Sequence, residues 1–134
     1  MNHATVYRTR EPLGDPLRDG QPIRPEPWAR ADIPFAIDVF QHSVSYIAQG
    51  PDGMMYVSSG SRTDHGEAGN DPKRSKEGET PLSACIWQLD PREEHPNIHV
   101  YARGLRNAFG FCWDDHGGVF ATENGPNANP PEEI

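Results

Sequence analysis

Arg106-Asn107-Ala108-Phe109-Gly110-Phe111-Cys112-Trp113, followed after Asp114-Asp115-His116 by Gly117-Gly118-Val119-Phe120-Ala121-Thr122-Glu123-Asn124-Gly125-Pro126-Asn127, is the stretch that decides the fold. Residues 109–113 and 119–122 are short apolar runs, and residues 114–118 between them are a cluster of turn formers. The pattern predicts a β-hairpin. Arg106-Asn107 stands just before the first strand and Gly125-Pro126 just after the second, so antiparallel pairing places both polar features on the same edge of the hairpin. A ligand would sit at such an edge.

Composition narrows the class. A chain of 134 residues is ordinarily one domain, and 34% hydrophobic residues with 14 Pro and 13 Gly suit a loop-rich β protein with a modest core. The net charge of −8, from 20 acidic and 12 basic residues with no Lys/Arg run, argues against phosphate-backbone binding, so nucleic acid is set aside as a partner. No apolar run approaches the roughly 18 residues of a membrane span. No charged segment followed by an apolar one opens the chain in the manner of a secretion signal. Cys85 and Cys112 fit no metal or redox spacing and read as ordinary strand cysteines.

Residues 1–34 are punctuated by Pro12, Pro16, Pro22, Pro25, Pro27 and Pro34, which forbid a long helix. Only Thr5-Val6-Tyr7-Arg8 looks like a strand there, the trailing strand of a preceding sheet; residues 35–134 form the main unit. Residues 43–49 and 54–58 flank the strong turn Gly50-Pro51-Asp52-Gly53 and predict a second hairpin. Residues 59–83 are polar and rich in Gly and Pro, a loop long enough to be functional or disordered. Residues 85–89 and 98–101 then give a third pairing around residues 90–97, and no window of about 11 residues keeps a helical apolar period.

Gly50-Pro51-Asp52-Gly53-Met54-Met55-Tyr56-Val57 and Asp114-Asp115-His116-Gly117-Gly118-Val119-Phe120-Ala121 are both acidic-Gly turns leading into an apolar strand, about 65 residues apart. Repeated antiparallel units of that period predict an all-β fold: a fragment of a β-propeller, about two blades with long loops, each blade burying its faces against its neighbours. Two blades cannot close a ring, so the exposed faces would need further blades or self-association.

In order along the chain, His42, Gly50-Pro51-Asp52-Gly53, Tyr56-Val57, Gly104-Leu105-Arg106-Asn107, Glu123-Asn124-Gly125-Pro126-Asn127 and Glu132-Glu133-Ile134 resemble the glucose/sorbosone dehydrogenase family. The resemblance covers residues 40–134, and it rests on the ordered set, since Gly-Pro-Asp-Gly alone is only a turn. It implies a six-bladed propeller that uses pyrroloquinoline quinone with calcium to oxidise a small sugar or polyol, usually in the periplasm or outside the cell.

The same resemblance gives each matched residue a role. Oxidising a hydroxyl to a carbonyl needs a base for the oxygen's proton while hydride leaves the carbon. His42 matches the family's base, and an imidazole with an unperturbed pKa of about 6.5 is largely neutral and able to accept near neutrality. Arg106 matches the guanidinium that holds charge developing on the quinone oxygen, with Asn107 adding an amide. Calcium takes oxygen ligands; the pattern assigns it the backbone carbonyls of Gly125 and Pro126, with a carboxylate at or near Glu133 serving a neighbouring calcium.

Plainer readings stand beside these. His42 can be a hydrogen-bonded residue at a strand start, Arg106 a tie between loop and strand, and Gly125-Pro126 a turn. Asp114-Asp115-His116 reads as a solvated hairpin tip, and Trp28, Trp87 and Trp113 as blade packing. The chain departs from the family in two places: Ser61 stands where an Asp would hold the histidine, leaving Asp64 as a substitute, and Gln41 stands where an acid precedes the base. The alternatives to an oxidoreductase are a non-catalytic propeller module binding calcium or carbohydrate, and a calcium-dependent propeller lactonase.

Overall fold

The computed structural model describes residues 2–10, 24–33, 42–62 and 79–125. Every regular element among them is a strand: β1 (Asn2–Arg8), β2 (Glu26–Ile33), β3 (Val44–Gln49), β4 (Met55–Ser59), β5 (Cys85–Leu89), β6 (His99–Arg103), β7 (Ala108–Trp113) and β8 (Val119–Glu123). They form three antiparallel sheets, β1-β2, β3-β4-β5-β6 and β7-β8. The fold is all-β, a portion of a β-propeller in which β3 to β6 make one four-stranded meander.

The two acidic-Gly turns form as their sequences require. In the β3–β4 turn Gly53 takes φ 79°, a left-handed conformation natural to glycine, and the Asp52 carboxylate accepts the Met54 N–H at 3.1 Å and the Tyr56 hydroxyl at 2.8 Å. In the β7–β8 turn Gly117 takes φ 83°, while Asp114 Oδ1 accepts the N–H groups of His116 at 2.9 Å and Gly118 at 2.6 Å. Asp114-Asp115-His116 is thus a turn whose first acid caps its own loop.

Side chains alternate across the middle sheet, as the two-residue period of a strand dictates. Val57, Cys85, Trp87 and Leu89 pack on one face against Ala4, Trp28, Ala29, Ala31 and Ile33 of β1–β2. Tyr56 and Ile86 point the other way, against Phe111 of β7, and two edge-on ring contacts, Tyr46 to Phe111 and Phe111 to Trp113, extend that seam. Trp87 is 1% exposed and donates its indole N–H to Leu82 O at 2.9 Å. Burying a side chain of this size is worth several times the roughly 1 kcal/mol of its hydrogen bond.

A polar clasp adds to the first seam. Trp28 Nε1 donates to Glu93 O at 3.0 Å, and Arg8 and Arg10 both bridge Glu26 of β2 to Glu94 in the β5–β6 turn. These ion pairs are largely exposed, so they position the hairpin more than they stabilise it.

The structure corrects one expectation and extends another. The described residues among 1–34 hold a pair of strands where one was expected: Ala29-Arg30-Ala31-Asp32-Ile33 alternates buried with exposed, but Pro27 hid the strand. The proline is accommodated because it sits opposite Tyr7, next to the register shift at Val6/Tyr7. The expected pairing of residues 85–89 with the following strand is present as β5–β6, and β4 also pairs with β5, which joins both hairpins into one sheet. The long loop is described at its two ends only; residues 63–78 lie outside the described residues.

Burial, reinforced by the bond to Asp52, pushes the Tyr56 phenol up to about 12. The fold favours the neutral phenol, so this contribution is complete below the unfolded value of about 10 and is lost as pH rises through about 12. Denaturant unfolding followed across that window should show falling stability, and Tyr56→Phe should make the fall shallower.

Candidate functional site at one end of the sheets

Antiparallel pairing gathers six strand ends. Val44 pairs with Ser59, Ser59 with Cys85, and Cys85 with Arg103, so the starts of β3 and β5 and the ends of β4 and β6 lie together. Ala108 pairs with Glu123 at the corresponding end of β7–β8, and Ser45 Oγ donates to Ala108 O at 3.1 Å, tying this end of one sheet to that of the next.

The loops here are joined through their backbones. Gly60 N donates to Ser43 O at 3.1 Å, Ala84 N to Gly60 O at 3.1 Å, and Gly104 N and Leu105 N to Ala84 O at 3.1 and 3.3 Å. Ser61 N donates to Arg106 O at 2.6 Å, and Asn124 N to Asn107 O at 3.3 Å. Ala84 sits at the crossing of these bonds with φ 54°, a left-handed conformation that strains any residue with a Cβ.

Arg106 and Asn107 are buried, 9% and 6% exposed, between the β6 and β7 ends. Arg106 N donates to Glu123 Oε1 at 2.5 Å, and Arg106 Nη1 donates to Asn124 O at 3.0 Å and Gly125 O at 2.8 Å. His42 lies on the opposite side of Gly60-Ser61: its Nε2 is buried, and a Cβ built on Gly60 would fall 2.4 Å from His42 Cβ. One dipeptide therefore separates the backbone segments carrying the imidazole and the guanidinium. Ser61 is 1% exposed.

Of the residues singled out in the sequence, the structure brings His42, Arg106, Asn107 and Gly125 to this end. Pro126, Glu133, Gln41 and Asp64 lie outside the described residues. Two carboxylates there had been given no role. Glu123 caps the Arg106 backbone, and its signal was its place as the last residue of β8, opposite Ala108. Glu79 accepts the Arg62 N–H at 3.0 Å and the buried Ser83 hydroxyl at 2.6 Å, closing the two described ends of the long loop on each other. It had no periodic context that could mark it out.

Among the described residues no group of three or more His, Cys, Asp or Glu side chains could hold a metal ion. The oxygen donors at this end are backbone carbonyls and the Glu79 and Glu123 carboxylates, which in kind suit calcium and not zinc. The Asn124 and Gly125 oxygens both accept from Arg106 Nη1. A buried guanidinium beside an amide likewise suits an anionic, oxygen-rich cofactor.

A propeller portion with a polar site where its strand ends meet is the scaffold of many ring-shaped enzymes. The sequence profile of glucose / sorbosone dehydrogenase matches residues 33–133, and the chain belongs to that family. It carries a sugar-dehydrogenase-like propeller domain. No match was found among curated proteins, and none among solved structures. No helix among the described residues is long and apolar enough to cross a membrane.

The packing at this end gives opposite expectations for two small residues. Gly60→Ala must displace His42 and should cost about 1–3 kcal/mol, as over-packing does. Ala84→Gly relieves a left-handed alanine and, after the added freedom of the unfolded chain, should gain about 0.5 kcal/mol. Paired thermal melts of the two variants check both signs.

Proposed function

We propose that this site takes part in oxidising a sugar or polyol hydroxyl to a carbonyl, with pyrroloquinoline quinone and calcium as the resident cofactors. The observation that carries this reading is the placement of His42 and Arg106 on either side of Gly60-Ser61 at the end where the strands meet. His42 takes the hydroxyl proton on a ring nitrogen while hydride leaves the adjacent carbon. When bound, pyrroloquinoline quinone with calcium supplies a polarised hydride acceptor. Arg106 offers a fixed positive charge toward the developing negative charge, and Asn107 an amide hydrogen bond. The Gly125 and Pro126 carbonyls would hold the metal, and the carboxylate at or near Glu133 would serve a neighbouring calcium.

Packing of Gly60 against His42 orients the imidazole from its Cβ end. Ser61 stands where the family's Asp would stabilise the imidazolium that forms. That one residue favours a second reading, a non-catalytic module that retains the site for calcium or carbohydrate. Quinone-dependent dye reduction over a panel of sugars and polyols separates the two.

In protein reconstituted with calcium and quinone, His42→Ala should lower turnover about 100-fold or more and leave quinone binding largely intact. Arg106→Ala should lower turnover and also loosen the cofactor. Ser61→Asp should raise activity if the absent carboxylate limits the base. Full turnover in His42→Ala would show that the family fold is kept without the mechanism.

A further inference from the structure

β3–β6 sets the size of a complete unit at four strands, and each outer sheet is half of one. They are opposite halves. β7 lies against β3: Ser45 of β3 donates to Ala108 O, and the ring of Tyr46 meets Phe111 edge-on at 4.9 Å between centroids. β1–β2 lies toward β5–β6, where Trp28 donates to Glu93 O and Arg8 reaches Glu94 in the turn between those strands. Chain order agrees. β7 opens a new sheet after β6 as β3 does after β2, so β7 and β8 are the first and second strands of a unit, and β1 and β2 the third and fourth.

The correspondence reaches single side chains. Gly117 holds the left-handed place of Gly53, and Val119 opposite Trp113 matches Met55 opposite Gln49, which sets Phe120 at the position of Tyr56. Tyr56, packed against Phe111, is 3% exposed, whereas Phe120, on the outward face of β8, is 58% exposed. Three further large side chains are each about half exposed. Tyr101 of β6 meets Tyr56 edge-on and so belongs to the side of the middle sheet that β7 covers only along β3 and β4. Ile47 of β3 pairs with Val57 and shares its face, the side that carries β1–β2. Tyr7 of β1 follows Val6, which packs inward, and points away from the middle sheet.

We propose that copies of this chain join head to tail, β8 of one copy pairing with β1 of the next, so that two half-sheets complete one four-stranded unit. The directions agree: β8 runs toward the strand ends that carry Arg106, and β1 runs away from them toward the β5–β6 turn, as antiparallel neighbours must. Phe120 then lies over Ile47 of the next copy, and Tyr7 of that copy over Tyr101 of the first, so one contact covers all four side chains. Three aromatic rings of about 150–250 Å² and an isoleucine, each about half exposed, bring roughly 400 Å² to it. That is about a quarter of the roughly 1,600 Å² of a standard interface, and a strand edge and two half-faces add to it. Such a contact joins unlike surfaces, so the series ends only by closing into a ring. Eight strands per copy make two units, and three copies make six, within the range of about four to eight that propellers hold and equal to the count the family resemblance implies. The assembly goes beyond the proposed chemistry and does not depend on it.

Light scattering behind gel filtration, checked by native mass spectrometry, measures the copy number of the wild-type chain. Three times 14.9 kDa is expected. Phe120→Asp and Ile47→Asp alter exposed positions on the two opposite surfaces of the contact, so each should lower the mass to that of a single copy, with circular dichroism showing the strands retained. In wild-type protein the outward amides of β1 and β8 should exchange slowly with deuterium, a readout that needs no substitution. A wild-type monomer, any copy number other than three, or an open fibre overturns the proposal. So does loss of the assembly through only one of the two substitutions, which marks a two-fold contact between like surfaces, and so does rapid exchange of those amides in a trimer. Failed dye reduction by an intact trimer overturns the oxidoreductase reading and leaves the assembly standing.

Discussion

A sheet whose two central strands are apolar on both faces has to be covered twice. β4 and β5 put Val57, Cys85, Trp87 and Leu89 on one side and Tyr56 and Ile86 on the other, and nothing within β3–β6 can bury both sets. That constraint fixes the architecture. β1–β2 must lie on one face and β7–β8 on the other, and such a stack, turned a little at each layer, is the local geometry of a propeller. The outer sheets contribute Ala4, Ala29 and Ala31 around Trp28 and Ile33 on one side, and Phe111 and Trp113 on the other.

The site follows from the stacking. Once the sheets are layered, loops from different layers meet at one end, where their backbone groups must be satisfied by one another or by water. The chain does this with a string of main-chain bonds through Gly60, Ala84, Gly104 and Arg106. The cost is one left-handed alanine and one glycine that leaves no room for a Cβ beside His42. Strain gathered where the proposed chemistry resides is the usual signature of a backbone held for something other than stability alone.

How far the sequence could be read depended on how local each signal was. The hairpins around residues 50–53 and 114–118 were plain because a turn's chemistry lies in four or five consecutive residues. β2 was obscured because Pro27 argues against a strand, and only the pairing with Tyr7 shows that the ladder tolerates it. The union of β3–β4 with β5–β6 could not be read, because β4 and β5 are separated by a stretch whose composition says nothing about what it connects. In the site, Arg106 and Gly125 stood out from motif order, but their hydrogen bond did not. Glu79 and Glu123 went unassigned because what distinguishes them is the backbone N–H each one faces, a property of the fold.

The two ends of the sheets also differ in how their loops are held, and this bears on how the molecule can be altered. At the site end each loop depends on residues distant in sequence. At the other end the β7–β8 turn is closed by its own aspartate, Asp114, which bonds within four residues of itself, whereas Asp52 of the β3–β4 turn also accepts from Gln88 of β5 at 3.3 Å. A turn that satisfies itself can be exchanged for another without a message reaching the far end. The β7–β8 tip is therefore where new sequence, such as an epitope, a fluorophore or a tether to a surface, can be grafted onto this scaffold while the strand ends around Arg106 keep their arrangement.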